Sequence, residues 1–173
     1  LGVANAIIGL PFSIYSTFVI EEQFGFNKTT PATFITDLLK GALLSALIGG
    51  GLLSLLIWVY TLTGTWFWII ALGIVTVFSV VMGMFYTTLI VPLFNKLSPL
   101  EPGELRDAIT AYADKQGFDL KNIYVIDGSK RSTRANAYFS GLGPKKTIVF
   151  FDTLLEDHST EELVAILAHE VGH

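Results

Sequence analysis

The sequence predicts a mainly α-helical chain in which multi-pass transmembrane helices lead into the start of an α+β domain, built as helix, short β-sheet, helix. Three observations predict it. Residues 41–95 contain no Asp, Glu, Lys or Arg, although 15% of the whole chain is charged. Hydrophobic residues make up 51% of the 173 and mean hydropathy is +0.58. An ordinary soluble domain has about a quarter of its residues charged. Beyond Phe94 the composition turns to that of a water-facing domain, and nine of the eleven Lys and Arg lie there.

The composition also excludes. The net charge of −4 averages two unlike environments, and no basic stripe interleaves with aromatics, so nucleic acid is not an expected partner. There is no cysteine, which removes disulfides, thiolate metal sites and cysteine nucleophiles. Residue 1 is Leu, and the apolar stretch after it has neither a basic leader nor a small-residue cleavage site. The sequence therefore reads as a fragment.

Residues 1–94 form the predicted membrane region. Residues 1–20 are charge-free, with Pro11 inside, and read as part of a spanning helix, since about 20 apolar residues cross the hydrocarbon core. Residues 21–40 are a polar connector. Residues 41–62 and 66–94 read as a helical hairpin joined by "TGT", with Trp66 and Trp68 at an interface. "GGG" at 49–51 suits close helix packing. Lys28 and Lys40 precede the hairpin, basic residues follow it and the turn has none, which places both flanks in the cytoplasm. Pro92 marks the exit from the bilayer.

Residues 95–173 form the second part. A helix runs from about Pro102 to Gly117, with Leu105, Ala108, Ile109 and Tyr112 at helical spacing. Strands follow at 122–128, 134–143 and 145–152. Ser159 and Glu162 have capping-box spacing and start a last helix at about residue 160.

That helix carries the chemistry, in "LAHEVGH" (167–173). His169 and His173 stand four residues apart, on one helical face, where two imidazoles reach one zinc ion. Glu170 lies beside them, placed to accept a proton from a water made acidic by the ion and to pass it on to a leaving amine. A catalytic zinc needs three protein ligands and an open position. His158 sits in the polar stretch before the helix and reads as an exposed loop residue, while Asp152 and Asp157 read as turn and surface residues. The expected third ligand therefore lies beyond residue 173.

These residues also carry a resemblance. "LFNKLSPLEPGELRDAI", "NIYVIDGSKRSTRANAYFSG", "KTIVFFDTLL" and "STEELVAILAHEVGH" closely resemble the type 1 CAAX prenyl proteases, and "VIEEQFGFNKTT" resembles the connector before their middle membrane helices. The resemblance runs from about Pro11 to His173. It implies an integral-membrane, zincin-like metallopeptidase, one Zn²⁺ per subunit held by His169, His173 and a Glu beyond residue 173, and Glu170 as the catalytic acid/base. It implies membrane helices enclosing a chamber, and removal of a C-terminal tripeptide after a prenylated cysteine, with further cuts in some substrates. Asn136, Ala137, Tyr138 and Phe139 then form a strand edge that pairs with an extended substrate, a case of β-augmentation; the alternative is that Asn136 only shapes the turn into an internal strand. Lys130, Arg131 and Arg134 steer an anionic group or headgroup, or simply form a solvated loop.

The expected function is a membrane-embedded zinc endopeptidase for CAAX-type processing, with protein or peptide substrates, prenylated or not, and the lipid bilayer as partners. The fragment alone is expected to be inactive. The bacterial inner membrane or the endoplasmic reticulum is the expected location, depending on the source. The alternatives are an HtpX-like quality-control protease and, more distantly, a non-catalytic membrane scaffold.

Overall fold

A computed structural model describes residues 2–117, 120, 122–140 and 147–172, with only the backbone of residues 170–172. Helix α1 (Gly2–Tyr15) continues through a π-helical turn (Ser16–Ile20) into α2 (Glu21–Gln23). Together they make a 22-residue apolar helix with no buried residue, long enough to span a bilayer. Gly25, at φ +73°, turns the chain out of it.

Helix α3 (Pro31–Thr63) starts ten residues before the expected Gly41. The local cause is plain. The Thr30 hydroxyl accepts from the Thr33 N–H at 3.1 Å, and Pro31 occupies the first turn, where its missing N–H costs nothing. Its 33 residues reach about 50 Å at ~1.5 Å each, against a hydrocarbon core of ~30 Å, so α3 is long enough to cross without the turns that carry Asp37 and Lys40. The connector thus shrinks from 21–40 to the segment before Pro31. Gly64, at φ +51°, closes α3 into a 3₁₀ turn (Gly64–Trp66). Helix α4 (Phe67–Phe85), a second π-helical turn (Tyr86–Ile90) and α5 (Val91–Phe94) run back alongside α3. Tyr60 and Phe67 meet edge-to-face at 5.2 Å across the turn, and Lys40 Nζ donates to the Leu93 carbonyl at 2.8 Å at the far end.

The remaining residues build a four-stranded sheet of order β1-β2-β4-β3. Its strands are β1 (Leu97–Pro99), β2 (Asn122–Ile126), β3 (Ala137–Ser140) and β4 (Thr147–Phe151). β1 and β3 are antiparallel to their neighbours, while β2 and β4 run parallel, Ile123 facing Ile148 and Val125 facing Phe150. Helices α6 (Glu104–Lys115), α7 (Asp152–Asp157) and α8 (Thr160–Gly172) complete the unit. β1 and α7 are additions to the expected helix–strand–strand–strand–helix order.

Successive strand residues point to opposite faces. On one face Ile123, Ala137, Ile148 and Phe150 pack with Ile109 of α6, Leu154 of α7, and Leu163 and Leu167 of α8. On the other, Ile126 and Val149 pack with Val91 of α5, flanked by Tyr124 and Tyr138. The end of the membrane hairpin is therefore the second layer of the sheet. With both faces covered, β4 reads "TIVFF", a continuous rather than alternating strand.

Candidate active site

The site begins with α8. The Ser159 hydroxyl receives the Glu162 N–H at 3.4 Å, and Glu162 Oε2 accepts from the Ser159 N–H at 2.8 Å and from its hydroxyl at 2.9 Å. This is the expected capping box. The two hydrogen bonds from Ser159, backbone first, hold the Glu162 carboxyl below its ordinary value. Leu163 and Leu167, one turn apart, lock the helix onto the sheet at 3% and 1% exposure. His169, two residues further on, is exposed. The side chain of Glu170, and His173 altogether, lie outside the described residues. His169 nevertheless stands on a helix that runs unbroken to Gly172, the backbone that a His-x-x-x-His pair requires. The donor chemistry, imidazole with a neighbouring carboxyl, fits a zinc ion. Among the described residues no three His, Asp or Glu side chains converge to hold a metal.

The histidine and aspartates set aside as ligands have other work. His158 is half-buried rather than exposed, its Nδ1 3.1 Å from the Leu154 carbonyl at the end of α7. Asp152 starts α7, accepting from the Thr153 N–H at 2.9 Å and the Ser129 N–H at 2.8 Å, and also from the Ser129 hydroxyl. Asp157 ends that helix in an exposed position.

Strand β3 packs against α8 and lies at the edge of the described sheet. The Phe151 N–H donates to the Asn136 carbonyl at 3.0 Å, which extends the ladder one residue before the strand. Alternation along an antiparallel pair then turns the backbone N–H and C=O of Ala137 and Phe139 away from β4. The Asn136 amide oxygen accepts from the Ala137 N–H at 2.9 Å. The Tyr138 side chain lies on the membrane side of the sheet. Burial raises its phenol above the ordinary value of 10.0; the adjacent Thr87 hydroxyl opposes the rise and Tyr86 adds to it. Thr87, in the π-helical turn, is 3% exposed, and its hydroxyl, though beside that phenol, makes no well-formed hydrogen bond.

The basic loop before β3 divides sharply. Arg131 is half-buried and bonded to the protein. Its Nε and Nη2 donate to the two Asp37 oxygens at 2.8 and 2.9 Å, Nη1 to Asn95 Oδ1 at 2.5 Å and Nη2 to the Phe94 carbonyl at 2.7 Å. The Arg131 carbonyl accepts from the Lys28 N–H at 3.0 Å and the Thr29 hydroxyl at 3.1 Å. One residue ties α3, the end of α5 and the first connector to the loop that leads into β3. Asp37 and Asn95 were invisible from the sequence as site residues, because Asp37 lies 94 positions from Arg131. Gly128 opens the same loop where a Cβ would overlap the Phe151 ring. A cavity of about 560 Å³ is lined by Ser13, Glu21, Asp37 and Arg131 between α1 and α3, away from α8.

Comparison with known proteins identifies both parts. The family model described as "CAAX prenyl protease N-terminal, five membrane helices" matches residues 1–96, and "Peptidase family M48" matches residues 99–173. CAAX prenyl protease 1 of Saccharomyces cerevisiae is 45% identical, over 100% of this chain and 38% of its own length. The CAAX prenyl protease 1 homolog of Arabidopsis thaliana is 44% identical, over 98% of this chain and 40% of its own. The crystal structure of S. mikatae Ste24p superposes with a TM-score of 0.93 at 45% identity, covering 99% of this chain and 41% of that one. The chain thus spans about two-fifths of the length of these relatives. The apolar helices belong to an integral membrane protein, and the peptidase match implies a metal. The chain belongs to the CAAX prenyl protease family, peptidase family M48.

Proposed function

We propose that the full-length protein is a membrane-embedded, zinc-dependent endopeptidase that carries out CAAX-type C-terminal processing of prenylated proteins. The observation that carries the reading is the packing of the His-Glu-x-x-His helix α8 directly against the edge strand β3, inside a chain matched by the peptidase model. The names of the relatives in yeast and Arabidopsis supply the substrate class.

In this reading His169 and His173 hold the ion, and a glutamate supplied downstream of His173 is the third ligand. The zinc, when bound, supplies the Lewis acidity that brings water within reach of deprotonation near neutral pH. Glu170 takes that proton and returns it to the departing amine. β3 lies along an extended peptide and offers it the outward carbonyl of Ala137, whose N–H Asn136 already holds, so that main-chain pairing is sequence-tolerant and the scissile amide lies flat over α8. Asn136 orients the head of that strand. Lys40 and the end of α5 lie together on the sheet side of the hairpin, which agrees with a cytoplasmic sheet under the positive-inside rule. The eukaryotic relatives favour the endoplasmic reticulum membrane over a bacterial one.

The test is hydrolysis of a farnesylated CAAX peptide by the purified full-length enzyme with its zinc content measured alongside. Glu170→Gln is expected to keep the metal and lower kcat by about 10²–10⁴-fold, the range of general acid–base catalysis. Asn136→Ala is expected to lower kcat/KM several-fold with zinc retained. Wild-type turnover in Glu170→Gln, or full activity without stoichiometric zinc, would overturn the reading.

A further inference from the structure

A threonine inside a helix can give its hydroxyl back to its own backbone, and several in this chain do so. Thr36, Thr63 and Thr110 donate to the carbonyl four residues back, and Thr61 and Thr88 to the one three back, at 2.7–3.2 Å. Thr87 departs from them. It sits in the π-helical turn Tyr86–Ile90 at 3% exposure, and its buried Oγ1 has no well-formed hydrogen bond. A buried hydroxyl left unpaired costs stability, so its presence calls for a reason. The phenol of Tyr138, on the membrane side of the sheet, is a polar group placed beside it.

The widened turn aims the hydroxyl there. Its closing bond runs from the Val91 N–H to the Tyr86 carbonyl, five residues back instead of four. Pro92 has no N–H and its ring crowds the carbonyl four residues before it, and a π-helical turn absorbs that conflict within a membrane helix. One extra residue rotates a helical face by about 100°. Val91 lies on the sheet, packed with Ile126 and Val149. Val149 stands opposite Tyr138 in the β3–β4 pair, so Val91 and Thr87 meet neighbouring members of one row across the sheet. β3 is thereby held on both faces, by α8 through Ala137 and by the membrane hairpin through Tyr138. We infer that Thr87 is a positioning residue that acts through the Tyr138 phenol to fix the edge strand β3 relative to the membrane hairpin. The inference rests on the β3-edge reading proposed above and deepens it. Pairing with β4 fixes β3 within the sheet but not against the bilayer. A substrate anchored in the bilayer by its prenyl group arrives at a depth the bilayer sets, and a strand tied to a span presents its edge at a matching depth.

The experiment uses the full-length, zinc-loaded enzyme and a farnesylated CAAX peptide. Thr87→Val keeps the shape and removes the hydroxyl. It is expected to raise KM by about two- to tenfold, the equivalent of one net hydrogen bond, with kcat and zinc content unchanged. Tyr138→Phe does the same, and the double variant is no worse than either single one. Thr87→Ser, which keeps a hydroxyl, keeps KM near the wild-type value. Thr88→Val, whose hydroxyl is spent on the Phe85 carbonyl, leaves KM unchanged. Hydrogen exchange at residues 137–140, measured without substrate, reads the positioning apart from the proposed chemistry. Faster exchange there in Thr87→Val, reversed in Thr87→Ser, supports the inference even if the wild type hydrolyses no CAAX peptide. Unchanged protection in Thr87→Val overturns it, as do additive effects of Thr87→Val and Tyr138→Phe. A melting temperature raised in Thr87→Val also overturns it, because a buried hydroxyl with no partner is better replaced by a methyl group. CAAX hydrolysis that persists with unchanged protection leaves the peptidase reading and removes the positioning role.

Discussion

The membrane hairpin and the sheet unit are built from similar apolar residues under opposite rules. In the sheet unit Ile109, Val149, Phe150 and Leu167 are at most 1% exposed. In α3 and α4, Leu43, Leu47, Leu53, Trp58 and Leu72 are 59–66% exposed, and Val59 is the one described residue of these two helices that is buried. Water drives the first set inward, at roughly 25 cal/mol per Å² of apolar area. Lipid is as apolar as leucine and drives nothing of the kind. What the bilayer does demand is that backbone polar groups pair within the helix. Among the described residues the hairpin shows length and hydrophobicity, whereas the sheet unit shows specific side-chain fit.

The largest expected difference follows from that contrast. Ile109→Ala removes a fully buried side chain and is expected to cost about 2–5 kcal/mol. Leu47→Ala, at 66% exposure, is expected to cost well under 1 kcal/mol, the usual range for exposed positions being about ±0.5 kcal/mol. Thermal unfolding of both variants in detergent measures the pair. Leu47→Asp inverts the order for a different reaction, adding about 2.5–3.5 kcal/mol to membrane insertion, which a glycosylation-based insertion assay reads. Equal thermal losses for the two alanine variants would break the comparison, because Leu47 would then be packed as tightly as a core residue.

The second prediction concerns the joint between the regions. Arg131 and Asp37 are 22% and 25% exposed, and their contact is bidentate. Hydrogen bonds to charged groups contribute about 1.5–3 kcal/mol, so Arg131→Ala is expected to cost about that much and to loosen β3 relative to the hairpin. Arg131→Lys keeps the charge but not the fork, and recovers only part of the loss. Hydrogen exchange at residues 131–140 checks the coupling. Protection unchanged in Arg131→Ala would mean that the sheet's own contacts with α5 suffice.

How much was legible in the sequence follows the same division. The spans, the turn at Gly64, the capping box and the His-Glu-x-x-His helix are local patterns, readable from charge absence and spacing of three or four residues. α3 starts ten residues before the charge-free span because its first ten residues carry Asp37 and Lys40, although Thr30–Pro31 is a cap signal. Composition marks where lipid begins, not where a helix begins. β1 is three residues long and includes a proline, so only its register with Tyr124, Val125 and Ile126 makes it a strand. α7 is a six-residue helix whose start depends on Asp152 and a contact with Ser129, 23 positions away. At the site, the pairing of Arg131 with Asp37 and the placement of β3 over α8 are long-range, and no local period encodes them.

The smallest expected effect lies where the reading was most local. Ser159→Ala removes the hydroxyl that caps α8 and is expected to cost about 1 kcal/mol near neutral pH. Its pH dependence carries more information than its size. The bonds from Ser159 depress the Glu162 carboxyl in the folded state, so the stabilisation they give is present above the unfolded value, near 4.5, and is lost as pH falls through the folded one. The variant keeps the backbone N–H to Glu162 but not the hydroxyl, so it has less to lose on acidification. The gap in melting temperature between wild type and Ser159→Ala should therefore narrow below about pH 4.5. A gap that stays constant through that window would assign the cap to the hydroxyl's bond with the Glu162 N–H alone. The bond from the hydroxyl to the carboxylate would then contribute nothing to holding the first turn of the helix that carries His169, and the backbone N–H of Ser159 would be the carboxylate's whole share.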